Sequence, residues 1–370
     1  MLNCVKAPVF LIAVLLMNAL LVNGAHASEL GTLFAAYQSA VEEGDTEKVR
    51  ESAAGVYEYT RKTYPEDNKN RAAATLNYTK ALFADREYEL AEEIAREALA
   101  RYESVYGEES LDLVDPQLEL ARAIAGNRRS SAEHRRTFSR YLNKALKLVE
   151  DNRGEASALY AVVALDAGRI SLDQAGSPRA RKYLEIAQEA FDGPYQEHTL
   201  KRFLASFYLG KFYMAKEQYR TARPYLESAL EIADTDGAPD GALELTARAF
   251  LVDIYEQVGE EEMSIAQCRA IGKMVPFNMD QEPRSLYQRM PEYPASALRN
   301  NREGYAVVKF TISDTGIPAD VTAIDTEGST SFGGAAEEYV KGLRYAPRFV
   351  DGKAVDTPDR KVKISFNLAK

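Results

Sequence analysis

The stretch LGKFYMAKEQYRTARPYLESAL, residues 209–230, decides how the chain is read. Leu209, Gly210 and Tyr213 recur at helical spacing in its first half, and Tyr219, Ala222, Leu226, Ala229 and Leu230 in its second. Apolar residues three and four apart predict two short helices, each with one face turned inward. The second pattern returns at Tyr88, Ala91, Ala95, Ala98 and Leu99, and again at Ala180, Leu184 and Ala187. Its penultimate small or apolar position falls at Val56, Ala98, Ala145, Ala187, Ala229 and Ile271, with spacings of 42, 47, 42, 42 and 42. A fixed period of this size marks a repeat architecture, in which each unit buries its apolar face against its neighbours. Six helix pairs are expected between residues 28 and 276, punctuated at Gly44-Asp45, Gly107, Gly126-Asn127, Gly176-Ser177-Pro178, Gly193-Pro194 and Gly237 to Gly241.

This unit resembles the tetratricopeptide repeat, in which small residues let two antiparallel helices approach and large ones fill the gap. The period here exceeds that family's usual ~34 residues, which implies longer helices or longer inter-repeat loops. The resemblance further implies a solenoid whose concave face holds a peptide or a partner helix. The groove-facing positions would then include Val162, Leu165 and Arg169, then Leu204, Phe207 and Lys211, and finally Asp253. Cys268 occupies the position of Leu226 and reads as a buried core residue. The run Arg128, Arg129, Arg135, Arg136 and Arg140 falls where one spacing stretches to 47 and reads as a solvated basic face. His134, inside that run, has no metal-ligand partner in sequence and reads as a surface histidine.

After Pro276 the texture changes. Pro283, Pro291 and Pro294 interrupt helix, so residues 277–290 read as a linker, and beyond them the periodicity becomes two. Ala306, Val308, Phe310 and Ile312 alternate with Tyr305, Val307, Lys309 and Thr311. A hairpin turn at Asp314-Thr315-Gly316 leads to a strand over 317–325, then to a short helix through Ala335, Ala336, Tyr339, Val340 and Leu343. The chain closes with Val362, Ile364, Phe366 and Leu368 alternating against Lys361, Lys363, Ser365 and Asn367. The expected class is multidomain: an all-α repeat solenoid followed by a small α+β domain over 291–370.

Residues of this domain resemble the C-terminal domain of TonB, the periplasmic energy transducer of Gram-negative bacteria. The shared features are Pro291-x-Tyr293-Pro294-x-x-Ala297-x-Arg299, Glu303-Gly304-x-x-Val307-x-Lys309-Phe310-x-Ile312, Phe332-x-x-Ala335-Ala336, Leu343-Arg344-Tyr345-x-Pro347, and Asp351-Gly352-Lys353-x-Val355. Two positions depart from the pattern: the usual Trp-Arg-Phe is Leu343-Arg344-Tyr345, and Met290 stands where glutamine is frequent. The resemblance implies recognition by strand addition. The edge of the last strand, through Lys361, Val362, Lys363, Ile364, Ser365 and Phe366, would pair with an extended segment (the TonB box) of an outer-membrane receptor. Tyr293 and Pro294 would position the segment that precedes the domain.

At the other end, Lys6 precedes an apolar run over residues 7–22, and Ala25-His26-Ala27 precedes Ser28. This is the layout of a cleaved signal peptide, 1–27, and the apolar run is shorter than a bilayer span requires. The expectation is an exported, periplasmic protein. The alternative is a membrane-anchored energy transducer for outer-membrane transport, should the segment be retained. Lys and Arg number 46 against 56 Asp and Glu, a net charge of −10. That balance argues against nucleic acid as a partner. Of two cysteines, Cys4 leaves with the signal segment, so no intramolecular disulfide is expected. No nucleophile elbow, phosphate loop or dinucleotide fingerprint occurs, and Gly333-Gly334 lacks the accompanying lysine. No catalytic residue, cofactor or metal is therefore expected; the partners are protein segments, and membrane contact comes only through them.

Overall fold

The computed structural model describes residues 24–127, 132–172, 178–236, 241–275 and 284–368. Of the expected signal peptide over 1–27, residues 1–23 lie outside them and residues 24–27 fall at the start of the first helix. The chain divides into two compact units, Met1–Tyr208 and Leu209–Lys370. The helices of the first are α1 (Gly24–Glu43), α2 (Thr46–Thr63), α3 (Lys69–Ala84), α4 (Tyr88–Tyr106), α5 (Val114–Gly126), α6 (Ala132–Arg153), α7 (Ala158–Leu172) and α8 (Pro178–Asp192), followed by α9 (Thr199–Met214), within which the division falls. Those of the second continue with α10 (Tyr219–Asp236), α11 (Gly241–Val258) and α12 (Glu261–Met274). The helical repeat region thus runs to Met274.

Each helix from α1 to α7 packs on the next, α3 touches α5, and α5 touches α7, so the first helices of successive pairs are also in contact. The six periodic positions are buried without exception: Val56, Ala98, Ala145, Ala187, Ala229 and Ile271. Helix starts follow local chemistry. The Asp45 carboxylate accepts from the Lys48 amide at 3.2 Å, and the Asn68 side chain accepts from the amides of Asn70 and Arg71, tying down donors that the first turn leaves unpaired.

Close approach within a pair rests on glycine. A Cβ at Gly168 would lie 2.6 Å from Leu184 Cγ, and a Cβ at Gly210 would lie 2.5 Å from Leu226 Cγ. These two pairs stand one 42-residue period apart. One period further on, Val252 replaces the glycine and Cys268 replaces the leucine, both fully buried. A larger residue on one helix and a smaller one on the other keep the volume between them nearly unchanged. Burial pushes the Cys268 thiol up to about 12, so it stays protonated and packs as an apolar group.

The small α+β domain begins after α12. Strand β1 (Ser285–Tyr287) falls in the stretch read as a linker; it packs on α11 and pairs antiparallel with β4 (Arg344–Tyr345). A short helix α13 (Ala295–Arg299) precedes β2 (Gly304–Ile312) and β3 (Pro318–Glu327), and α14 (Ser331–Lys341) follows. Beyond β4 come the hairpin β5 (Arg348–Val350) and β6 (Lys353–Val355), then the long β7 (Thr357–Phe366). Sheet order is β3-β2-β7, antiparallel throughout, with Val308 opposite Val362 and Ala306 opposite Ile364. The inward set of β2 is Ala306, Val308, Phe310 and Ile312, packed with Phe332, Ala336 and Val340 of α14. Gly316 closes the β2–β3 turn at φ +84°, and a Cβ there would stand 2.1 Å from the Tyr345 carbonyl oxygen, so no other residue fits.

Candidate functional site

Strand β7 ends the sheet: one edge pairs with β2, and no described strand pairs with the other. Period two divides its side chains. Ile364 and Phe366 are buried, Val362 is half-buried, and Lys361, Lys363 and Ser365 are exposed. The Lys363 ammonium lies 3.6 Å from the centre of the Tyr305 ring on β2, and Lys309 pairs with Asp359 at 2.7 Å. Cross-strand contacts thus draw Lys363 over the sheet face, while the main-chain N–H and C=O groups of the outer edge stay unpaired by any described strand.

Tyr293 clamps the carboxy-terminal end of that strand. Its ring stands at 89° to both Phe332 and Phe366, centroids 5.8 Å away, while Phe332 and Phe366 stack at 4.5 Å. Its hydroxyl donates to the Arg302 carbonyl. Pro294, at φ −60°, supplies the carbonyl that receives the Leu298 amide at the start of α13. Tyr293 therefore acts from within the core that supports β7, rather than from the exposed edge.

In the first unit, α3, α5, α7 and α9 enclose a cavity of about 350 Å³. Its apolar walls are Phe83, Leu118, Leu165, Leu200 and Leu204. Charged groups face it in pairs: Lys80 with Asp115 at 2.7 Å, Arg122 with Glu119 at 2.7 Å, and Arg169 with Asp166 at 2.9 Å. Of the positions read as groove-facing, Leu165, Arg169 and Leu204 come together here, and Val162 is half-buried on the same helix. Phe207 does not face the cavity. It is 4% exposed and its ring stacks on Phe203 at 5.9 Å, because helical spacing puts it with Phe203 to one side of the stripe Leu200, Leu204 and Tyr208 that lines the cavity. Lys211 and Asp253 belong to the second unit; both are half-buried, and burial raises the Asp253 carboxyl.

Glu119 was not singled out by sequence. The signal was present as a repeated acid-x-x-base pair: Glu119 with Arg122, and Asp166 with Arg169, 47 residues later. Burial pushes the Glu119 carboxyl up, against the pull of Arg122 and Lys80.

The basic run shows a different face. Arg136, Arg140, Lys144 and Lys147 of α6, with Arg179, line an open trough of about 700 Å³. Arg140 and Lys144 lie over the Tyr141 ring, and Lys147 pairs with Asp151 at 2.7 Å, so these cations are met by their own helix. Arg128 and Arg129 lie outside the described residues. His134 is half-buried rather than on the surface, its Nε2 2.8 Å from the Ile124 carbonyl.

Among the described residues no helix is long and apolar enough to cross a membrane. Residues 289–368 match the family of the Gram-negative bacterial TonB protein C-terminal, and the C-terminal domain of this chain belongs to it. The TonB2 protein of Vibrio anguillarum is 34% identical over 26% of this chain and 91% of its own, with a TM-score of 0.21. A putative kinesin light chain of Podosopora anserina with nearly identical TPR-like repeats is 18% identical over 57% of this chain and 98% of its own, TM-score 0.47. BtubC from P. vanneervenii is 17% identical over 72% of this chain and 99% of its own, TM-score 0.47. No curated protein matches the chain.

Proposed function

We propose, from the premise that residues 289–368 are a TonB C-terminal domain, that this chain is a non-catalytic periplasmic adaptor. Its C-terminal domain captures an extended segment of an outer-membrane TonB-dependent receptor by strand addition, and its helical repeats offer a second partner-binding surface. The observation that carries this reading is the position of β7, ten residues long, at the end of the order β3-β2-β7. In strand addition the main chain supplies affinity and alternate side chains tune it. Lys361, Lys363 and Ser365 point to solvent on that strand and are placed to do the tuning.

Register makes the proposal testable. Single cysteines at Lys361, Lys363 or Ser365 are expected to cross-link to cysteines stepped by two through a synthetic TonB-box segment, each step shifting the best match by two. Cys268 is fully buried and contributes no background. Cross-linking that is indifferent to position removes strand addition as the mode of binding.

Location has its own check. The native chain is expected in the periplasmic fraction with Ser28 at its amino terminus. A membrane-bound chain that retains Met1 to Val22 would instead be an anchored transducer.

A further inference from the structure

The trough along α6 gathers Arg136, Arg140, Lys144 and Lys147 with Arg179 of α8, and its lining holds no carboxylate among the described residues. Asn143 lines it too and accepts from the Tyr183 hydroxyl of α8 at 2.8 Å, which ties the two helices together there. On α4 and α10, also second helices of their pairs, arginines are met by an acid four residues away. Arg96 pairs with Glu92 at 2.6 Å, Arg101 with Glu97 at 2.7 Å and Arg223 with Glu227 at 2.8 Å. Arg140, Lys144 and Arg179 have no acid three or four residues away on either side. Arg136, Arg140 and Lys144 instead follow one another at four-residue steps, where like charges oppose the helix that carries them. The Tyr141 ring draws in Arg140 and Lys144 but brings no net charge to cancel theirs. Lys147 is shared between the exposed acids Glu150 and Asp151, a surface pairing that another carboxylate displaces at little cost. A chain of net charge −10 thus keeps a row of uncompensated cations on one face.

The spacing of that row says what fits it. Four residues of helix advance about 6 Å, and alternate side chains of an extended chain stand about 6.7 Å apart. An extended segment with an acid at every second position therefore meets Arg136, Arg140 and Lys144 nearly in register, with charge-assisted hydrogen bonds at each step. The trough, of about 700 Å³, has room for several residues of such a segment. A bilayer presents a plane of headgroups, and a concave lining favours a narrow strand over a plane.

We infer that the trough between α6 and α8 seats an acidic, extended protein segment, its alternate carboxylates on Arg136, Arg140 and Lys144. The inference rests on the reading of the helical repeats as a second partner-binding surface, and it names the face and the chemistry; strand addition at β7 does not enter it.

The test uses the full chain and two fluorescein-labelled decapeptides of identical composition. One alternates glutamate with serine; the other carries five glutamates followed by five serines. By fluorescence polarisation the alternating peptide is expected to bind at least fivefold more tightly. Arg136→Gln, Arg140→Gln and Lys144→Gln together should weaken it at least tenfold and erase the preference. All three side chains are exposed, so the fold tolerates the change. Glutamine at Lys62, Lys216 and Lys353, three exposed lysines elsewhere, lowers the net charge equally and should leave affinity within twofold. Equal binding of the two peptides by the unaltered chain would overturn the register and with it the extended segment. Affinity that survives the α6 substitutions would overturn the trough while leaving the repeats a partner surface elsewhere. No binding of either peptide would overturn the acidic partner. If, in that case, phosphatidylglycerol vesicles sediment the unaltered chain but not the α6 variant, the face belongs to a membrane instead.

Discussion

Arg344→Ala is expected to destabilise the second unit by about 3–5 kcal/mol, the range found when one member of a buried ion pair is removed. Arg344 on β4 donates from Nε to Glu256 Oε1 on α11 at 2.7 Å, and the two side chains are only 10% and 9% exposed. Its Nη1 also donates to the Leu343 carbonyl at 2.9 Å. Removing the guanidinium leaves Glu256 charged and buried without its counter-ion. Glu256→Ala strands Arg344 in the same way. Replacing both by methionine takes both charges out together and is expected to recover most of the loss. Glu261, 3.4 Å from Arg344 but 61% exposed, provides the control. Its alanine variant should cost no more than about 0.5 kcal/mol, since exposed pairs contribute little. Amide exchange across β4 and β7, measured in the intact chain, reports these differences. An Arg344→Ala effect below about 1 kcal/mol would mean that the helices and the α+β domain do not depend on this pair.

Phe332→Ala should cost a similar amount, about 3–5 kcal/mol, by opening a cavity beneath the end of β7. Phe332 is fully buried and stacked on Phe366, with interplanar angle 8°, and Tyr293 closes the cluster edge-on. Because Phe366 is the last residue of β7, the damage is expected to be local. Cross-linking to the receptor segment should weaken first at Ser365 and last at Lys361. Phe332→Leu, which keeps most of the volume, should lose less than half as much stability. A uniform loss along the strand would show that the cluster supports the whole sheet rather than one end.

Much of this was legible in the residues, for reasons that are local. Helix pairs appear at a 42-residue period because every unit must bury the same face, and the buried positions from Val56 to Ile271 recur on that period. The three long strands of the last domain were legible because alternation is a direct consequence of the pleat, and Ala306 to Ile312 obey it, whereas the short β1, β4, β5 and β6 were not read. Cys268 could be placed in the core by its equivalence to Leu226 alone. Phe207 could not be separated from Leu204 in this way. Both lie on an apolar stripe of α9, and which of them faces the cavity depends on the rotation of that helix against its neighbours.

Period, strand alternation, turn chemistry and the TonB-like motifs were therefore determined by sequence alone, since each is set by contacts a few residues apart or by one repeat meeting the next. Three things were decided only in the tertiary structure. Strand β1 emerged from a stretch that reads as linker because its partner, β4, lies nearly sixty residues further on. Arg344 found Glu256 across 88 positions, a pairing that no periodicity encodes. Glu119 became a buried acceptor only when four helices closed around it, because desolvation belongs to a place in space and not to a position in the chain.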